Sequence, residues 1–86
     1  MLRAGAFQIQ IGAFQSQAEA QRQLASIRER SGVLLGNRSP VTSEVRQNGK
    51  VLYRARYAGF EAQSAAAGAC IELKRLSVDC LVMRAE

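Results

Sequence analysis

The sequence has 86 residues, enough for one small domain but too few for a deep catalytic cleft. Twelve Lys and Arg residues against seven Asp and Glu give a formal net charge of +5, and ten of the twelve cations are arginine. Arginine side chains bind carboxylates and phosphates, so we expect an anionic partner. Histidine is absent, which removes the usual general base and the commonest metal ligand. We therefore predict no catalytic residue, no metal and no cofactor.

The first predicted element is a β-strand over Phe7–Ile11, where apolar and polar residues alternate. This alternation places Gln8 and Gln10 on the face opposite the apolar side chains. The strand is therefore half-buried, with a polar face open to solvent.

A long helix is predicted next, over residues 17–35. Ser16 and Glu19 form a capping box in front of it. Apolar residues then recur at helical spacing as far as Gly36-Asn37, a typical helix end.

A β-hairpin follows the helix. Its strands cover Val41–Gln47 and Val51–Tyr57, and Asn48-Gly49 between them is the strongest short-range sign of a type I′ turn. In the second strand Arg54 and Arg56 share one face with Leu52. The other face of that strand carries Tyr53, Ala55 and Tyr57.

The last two predicted elements are an Ala-rich helix over about 63–76 and a short strand over 80–84. The inward positions of this helix are Ala66, Cys70 and Leu73. A shift of 46 residues aligns Phe14 with Phe60 and carries the first strand-helix unit onto the second. The order βαββαβ predicts an α+β fold of the ferredoxin-like or RNP-like type. In that fold a four-stranded antiparallel sheet has both helices on one face.

The two cysteines, Cys70 and Cys80, are too far apart for a CxxC motif, and two thiols without histidine make a poor zinc site. They indicate either a disulfide or two buried thiols. No apolar run approaches the roughly 20 residues of a membrane span, and the first residues do not begin a signal peptide. We expect no membrane insertion by this segment.

Several short motifs, taken in order, resemble those of SPOR domains. They are Ile9-Gln10-Ile11-Gly12-Ala13-Phe14, then Ala20 and Leu24, then Leu52-Tyr53-Arg54-Ala55-Arg56-Tyr57-Ala58-Gly59-Phe60, and then Ala66. The resemblance covers about residues 7–84 of a single domain spanning 1–86, which we expect to be excised from a longer envelope protein. The sequence departs from the family pattern in having Ala55 where Val is usual and Ala58-Gly59 in place of Gly-Pro.

The resemblance implies non-catalytic binding of septal peptidoglycan in the periplasm of a Gram-negative bacterium. It implies a preference for denuded glycan strands, from which amidases have removed the stem peptides, and targeting of an attached protein to the division site. The segment Leu52–Phe60, Cys70 and the Cys80–Arg84 tail further resemble the version at the C-terminus of alphaproteobacterial D-alanyl-D-alanine carboxypeptidases. Any catalysis would then belong to an upstream domain.

The candidate glycan-binding residues follow from the chemistry of a denuded strand, which exposes acetamido groups and free lactyl carboxylates. Gln8 and Gln10 offer both donors and acceptors, and Arg54 and Arg56 can each donate two hydrogen bonds to a carboxylate. The first and third strands are central neighbours in this fold, so the four side chains should converge. A merely solvated strand face is the plainer interpretation of the same residues.

Leu81 and Met83 are further candidates, as an apolar floor for sugar rings. They line the open face if Cys80 points inward, and an inward Cys80 could also meet Cys70. A slip of one residue in the last strand would reverse both expectations. Phe14 and Phe60 follow equivalent strands and could stack on a sugar, but core packing is the favoured interpretation for both.

Two binding functions compete with glycan recognition. An RNA-binding RRM has the same βαββαβ order, but it stacks bases on aromatic residues at the centre of its open face, where this sequence places Gln10, Arg54 and Arg56. We therefore expect no nucleic-acid partner. A protein-interaction module that recruits division proteins is the other alternative. An enzyme is disfavoured because neither serine nor cysteine has a histidine partner.

Overall fold

The structure is a computed structural model, and it describes residues 5–85. The elements are β1 (Phe7–Phe14), α1 (Gln17–Leu35), β2 (Ser39–Gln47), β3 (Lys50–Phe60), α2 (Gln63–Arg75) and β4 (Leu81–Arg84). The predicted order is confirmed and so are the bounds of the first helix. Strands β1 and β3 run three residues further than the sequence indicates, and β4 begins one residue later.

The four strands form one antiparallel sheet in the order β2-β3-β1-β4. Strands β1 and β3 are therefore the central neighbours, as the ferredoxin-like prediction requires. Both helices pack on the same face of the sheet, and the domain measures 36 × 32 × 17 Å. The prediction of an α+β sheet with two helices on one face is confirmed.

A β-bulge explains why β1 extends to Phe14. Gln10 pairs with Arg56 and Gly12 pairs with Ala55, so Ile11 is the extra residue. After the bulge Ala13 pairs with Arg54, and Phe14 pairs with Tyr53 on the helix-covered side. The extra residue lets Ile11 stay buried and still returns Phe14 to the core side.

A second irregularity lies at Gly59 near the end of β3. Phe7 pairs with Phe60 and Gln8 pairs with Ala58, which leaves Gly59 unpaired with β1. Gly59 has φ +111°, a conformation that proline cannot adopt because its ring holds φ near −65°. The departure from the Gly-Pro pattern therefore corresponds to a glycine bulge in this chain.

Helix α1 has the ends that its sequence predicts. The Ser16 hydroxyl accepts a hydrogen bond from the Glu19 amide at 3.1 Å, which satisfies one of the unpaired N–H groups of the first turn. At the other end Gly36 has φ +55° and donates to the Gly32 carbonyl at 2.9 Å. The helix buries Ala20, Leu24, Ile27 and Leu35 against the sheet.

Helix α2 uses small residues to pack closely on the sheet. Ala66, Ala69, Cys70 and Leu73 are all buried, and they join Ile9, Ile11, Ala55, Tyr57 and Phe60 in a single core with α1. Ala66, Cys70 and Leu73 are the inward positions that the sequence predicts. The core lies on one face of the sheet, and the other face is left open.

Within residues 5–85, Tyr57 is the one fully buried core residue with a hydroxyl group. Its side chain is buried, its hydroxyl donates to the Leu24 carbonyl, and the Arg28 guanidinium lies 5.2 Å from the ring centre. Burial raises the pKa of the Tyr57 hydroxyl above its ordinary value, although Arg28 acts in the opposite direction. Tyr57 therefore ties the sheet to the middle of α1 as a neutral donor.

Residues 5–85 contain neither a membrane-spanning helix nor a metal-binding cluster. No helix there is long and apolar enough to cross a membrane. No group of three or more side chains in the described part of the chain is arranged to hold a metal ion.

Candidate functional site

The uncovered side of the sheet, here called the open face, gathers the polar side chains that the sequence singles out. Gln8 and Gln10 reach it from β1, and Arg54 and Arg56 reach it from β3. All four are half-buried among their neighbours. The two central strands thus bring the two amides and the two guanidinium groups together.

The register of β4 places Leu81 and Met83 on the same open face. Leu81 pairs with Gln10, and Met83 pairs with Gln8. Val82 pairs with the buried Ile9 and packs against the core instead. Leu81 is 59% exposed, so an apolar side chain lies in solvent directly beside the central amide.

A side-chain hydrogen bond joins the two central strands across the open face. Arg56 Nε donates to Gln10 Oε1 at 3.0 Å, and the two residues are directly opposed in the β1–β3 pair. They are also 46 residues apart, so they occupy equivalent positions in the internal repeat. The centre of the face is therefore an ordered pair, not two independent solvated chains.

The charge on the open face is of one sign. Within residues 5–85 no acidic side chain lies on this face, and neither Arg54 nor Arg56 makes a salt bridge. Arg54 is flanked by Ala13 on β1 and Ser43 on β2. Both guanidinium groups thus retain donors for an outside anion.

Six arginines outside the open face contact the protein's own groups, whereas Arg22 on α1 is exposed. Arg30 donates to the Leu76 carbonyl, and Arg75 pairs with Glu72 at 3.1 Å. The others with such contacts are Arg28 on the Gly36 and Arg38 carbonyls, Arg46 beside Glu44, Arg38 over the Phe60 ring and Arg84 over the Phe7 ring. Positive charge is therefore spread over the domain, and the open face carries Arg54 and Arg56 without a salt bridge among the described residues.

The aromatic side chains lie on the helix-covered side. Phe60 is buried, and Phe14, Phe7 and Tyr53 pack against the core. Core packing, the favoured interpretation of Phe14 and Phe60, is what the structure shows. Within the described residues the open face has no aromatic platform of the kind that RRM domains use to stack bases.

A disulfide joins Cys70 of α2 to Cys80, with the two Cα atoms 5.2 Å apart. Cys80 immediately precedes Leu81, and α2 packs on β1 and β4. The bond therefore anchors the start of a four-residue edge strand, and Leu81 and Met83 depend on that strand for their positions.

Strand β2 adds residues to the open face that the sequence reasoning did not name. Val41 pairs with Arg56, Ser43 pairs with Arg54, and Val45 pairs with Leu52. These residues could have been found from the sequence, because the alternation in β2 and the two-residue Asn48-Gly49 turn together fix the β3 partner of each β2 residue. The open face therefore extends over all four strands.

The sequence matches the SPOR domain family over residues 4–84. The chain belongs to this family of small, non-catalytic binding domains, which confirms the predicted family and the expectation that it is not an enzyme. Among proteins with curated descriptions, none matches the sequence at a significant level.

Two solved structures share the fold. One is the crystal structure of the RlpA SPOR domain from Pseudomonas aeruginosa, with a TM-score of 0.73 and 16% identity, covering 92% of this chain and 99% of the RlpA chain. The other is the solution structure of the peptidoglycan-binding domain of the B. subtilis cell wall lytic enzyme CwlC. Its TM-score is 0.68 at 19% identity, and the alignment covers 100% of this chain and 96% of that one. At these identities the similarity establishes the fold.

Proposed function

We propose that this domain binds peptidoglycan through the open face and has no catalytic role of its own. Membership of the SPOR family and similarity to a domain described as peptidoglycan-binding support the ligand class. The observation that carries the proposal is the centre of the open face, where amides and guanidinium groups meet with no acidic side chain among the described residues. Such a face suits a polymer of acetamido sugars that carries carboxylates.

Denuded glycan strands are the preferred ligand in this proposal. In intact peptidoglycan an amide bond joins the lactyl carboxyl group to the stem peptide. Removal of the peptide leaves a free carboxylate. Arg54 and Arg56 project from the same face of β3 about 7 Å apart, and a charge-assisted hydrogen bond is roughly twice as strong as a neutral one. The gain of a carboxylate should therefore strengthen binding.

Leu81 and Met83 would supply the apolar part of the site. They lie beside Gln10 and Gln8, so a sugar ring above this edge could hydrogen-bond to an amide and cover an aliphatic side chain at once. Ligand sites often combine apolar walls with a few well-placed polar groups in this way. The disulfide at Cys80 keeps these two residues in place.

The cellular role in this proposal is to carry an attached protein to the division septum in the periplasm of a Gram-negative bacterium. Denuded strands mark sites where amidases cut, which gives the targeting its chemical basis. Origin from a D-alanyl-D-alanine carboxypeptidase stays a prediction, and so do contacts with division proteins.

A pull-down on purified sacculi, with and without amidase pretreatment, tests the proposal. We expect pretreated sacculi to retain more of the domain, and we expect an Arg54→Ala, Arg56→Ala variant to lose most of the gain. The matched control is Arg22→Ala, Arg46→Ala, which removes the same charge from exposed positions away from the open face. Equal retention on both kinds of sacculi would contradict the preference for denuded strands.

Absence of binding to either kind of sacculus would contradict glycan recognition altogether. If the Arg54→Ala, Arg56→Ala variant still gathered at the division site in cells, a protein-interaction role would be supported instead. Steeply salt-dependent binding of single-stranded RNA would favour the nucleic-acid alternative.

A further inference from the structure

The hydrogen bond between Arg56 and Gln10 fixes which end of the Gln10 amide faces the ligand. Arginine has five N–H donors and no acceptor, so the Gln10 atom that lies 3.0 Å from Arg56 Nε must be the carbonyl oxygen. The Gln10 amide nitrogen, with its two N–H donors, is then the end left for an outside group. Gln10 therefore offers two donors outward, while its oxygen already accepts one hydrogen bond from Arg56.

The same contact leaves the centre of the open face rich in donors and poor in acceptors. The Nη groups of Arg56 remain for other partners, because its contact with Gln10 uses Nε. Arg54 adds a second guanidinium on the same face, and no described acidic residue lies there. Gln8 makes no side-chain hydrogen bond within residues 5–85 and keeps both functions, but it is a single neutral group beside two cations.

A donor-rich, cationic centre can distinguish an N-acetylated sugar from the corresponding amino sugar. The acetamido carbonyl accepts hydrogen bonds, whereas deacetylation leaves an ammonium group that has donors and a positive charge but no acceptor. That ammonium would lie against Arg54, Arg56 and the Gln10 N–H groups without a partner. Like charges at such short range are unfavourable.

We propose that the Gln10–Arg56 pair makes binding dependent on the N-acetyl groups of the glycan, so that N-deacetylated strands are rejected even when their lactyl carboxylates are free. This inference rests on the proposed function. It adds a second requirement, an acetylated amino group, to the requirement for a free lactyl carboxylate. The domain would then recognise two chemical features of one strand: the free carboxylate left by removal of the stem peptide and the intact acetyl group.

The test compares three soluble ligands by isothermal titration calorimetry: denuded glycan strands, the same strands after enzymatic N-deacetylation, and deacetylated strands re-acetylated with acetic anhydride. We expect at least roughly 10-fold weaker binding after deacetylation, the loss typical of a missing hydrogen bond to a charged partner. Re-acetylation should restore the original affinity. If none of the three ligands bound, the proposed function would fail. Equal binding of all three would overturn this inference alone.

An isosteric variant tests whether the Gln10–Arg56 pair causes the preference for acetylated strands. Gln10→Glu keeps an acceptor for Arg56 and adds a carboxylate that can bind an ammonium, so the preference for acetylated over deacetylated strands should shrink severalfold. Gln21→Glu is the control, because Gln21 is an exposed residue of α1 on the covered side of the sheet. The same reduction in both variants would mean that net charge alone sets the preference, and it would overturn the role of Gln10.

Discussion

The two faces of the sheet use the same residue types for different purposes. On the covered face the side chains find their partners inside the molecule: Tyr57 donates to the Leu24 carbonyl, Arg28 lies over the Tyr57 ring, and Arg38 lies over the Phe60 ring. On the open face Arg54 has no described acidic neighbour, and the Arg56–Gln10 pair still has donors to offer. A difference in satisfied hydrogen-bonding capacity, more than one in charge, separates the covered face from the proposed binding face.

The largest expected effect is the difference in stability between Leu→Ala substitutions on the covered face and on the open face. Leu73→Ala removes a fully buried side chain and should lower the free energy of unfolding by about 3 kcal/mol. Leu81→Ala removes the same atoms from a residue that is 59% exposed and should change stability by less than about 1 kcal/mol while weakening glycan binding. Urea denaturation and calorimetry on both variants check this. Equal destabilisation by Leu81→Ala and Leu73→Ala would contradict this difference between the two faces.

The disulfide lies on the covered side but anchors the start of β4, so its loss should affect both faces. Replacing Cys70 and Cys80 together with serine should cost about 2–3 kcal/mol of unfolding free energy, because the closed loop is short. Amide hydrogen exchange should accelerate most in β4, and binding should weaken because Leu81 and Met83 lose their anchor. Reduction of the unmodified protein is the control. Unchanged exchange in β4 would argue against this coupling.

Much of this arrangement could be predicted from local sequence rules. The Ser16 cap, the Gly36 end and the Asn48-Gly49 turn fix the lengths of α1 and the hairpin, and the alternation in β3 assigns Arg54 and Arg56 to one face. These signals are short-range, so the chain itself reports them.

The remaining features depend on contacts between distant residues. The bulge at Ile11 changes the parity of β1, and parity counting alone ends the strand too early. The hydrogen bond from Arg56 to Gln10 joins residues 46 positions apart, and only the pairing of β1 with β3 reveals it. The faces of Leu81 and Met83 likewise required the register of β4.

A smaller effect tests whether positive charge alone explains binding at the open face. Arg56→Lys keeps the positive charge but loses the planar group that contacts Gln10, so affinity for denuded glycan should fall roughly 10-fold with stability unchanged. Raising the salt concentration should weaken binding of the unmodified domain, since exposed charges are screened. Arg22→Lys, on α1, is the control substitution. Full affinity in Arg56→Lys would show that a point charge suffices.

The smallest expected effect lies on the covered face. Tyr57→Phe removes the hydrogen bond to the Leu24 carbonyl and should cost about 1 kcal/mol at neutral pH. Because burial raises the folded-state pKa of Tyr57, its contribution is fully present below the ordinary tyrosine pKa of 10.0 and is lost as the pH rises above it. Stability measured from pH 8 to pH 11 should therefore fall less steeply in Tyr57→Phe. An identical slope in both proteins would contradict this account of Tyr57.

Titration of the ¹⁵N-labelled domain with denuded glycan strands, followed by NMR, tests most directly whether the open face is the binding surface. We expect chemical-shift changes to concentrate in β1, β3 and β4 and to include the side-chain signals of Gln8, Gln10, Arg54 and Arg56. Shift changes centred on α1 and α2, with the signals of these four residues unmoved, would contradict this expectation.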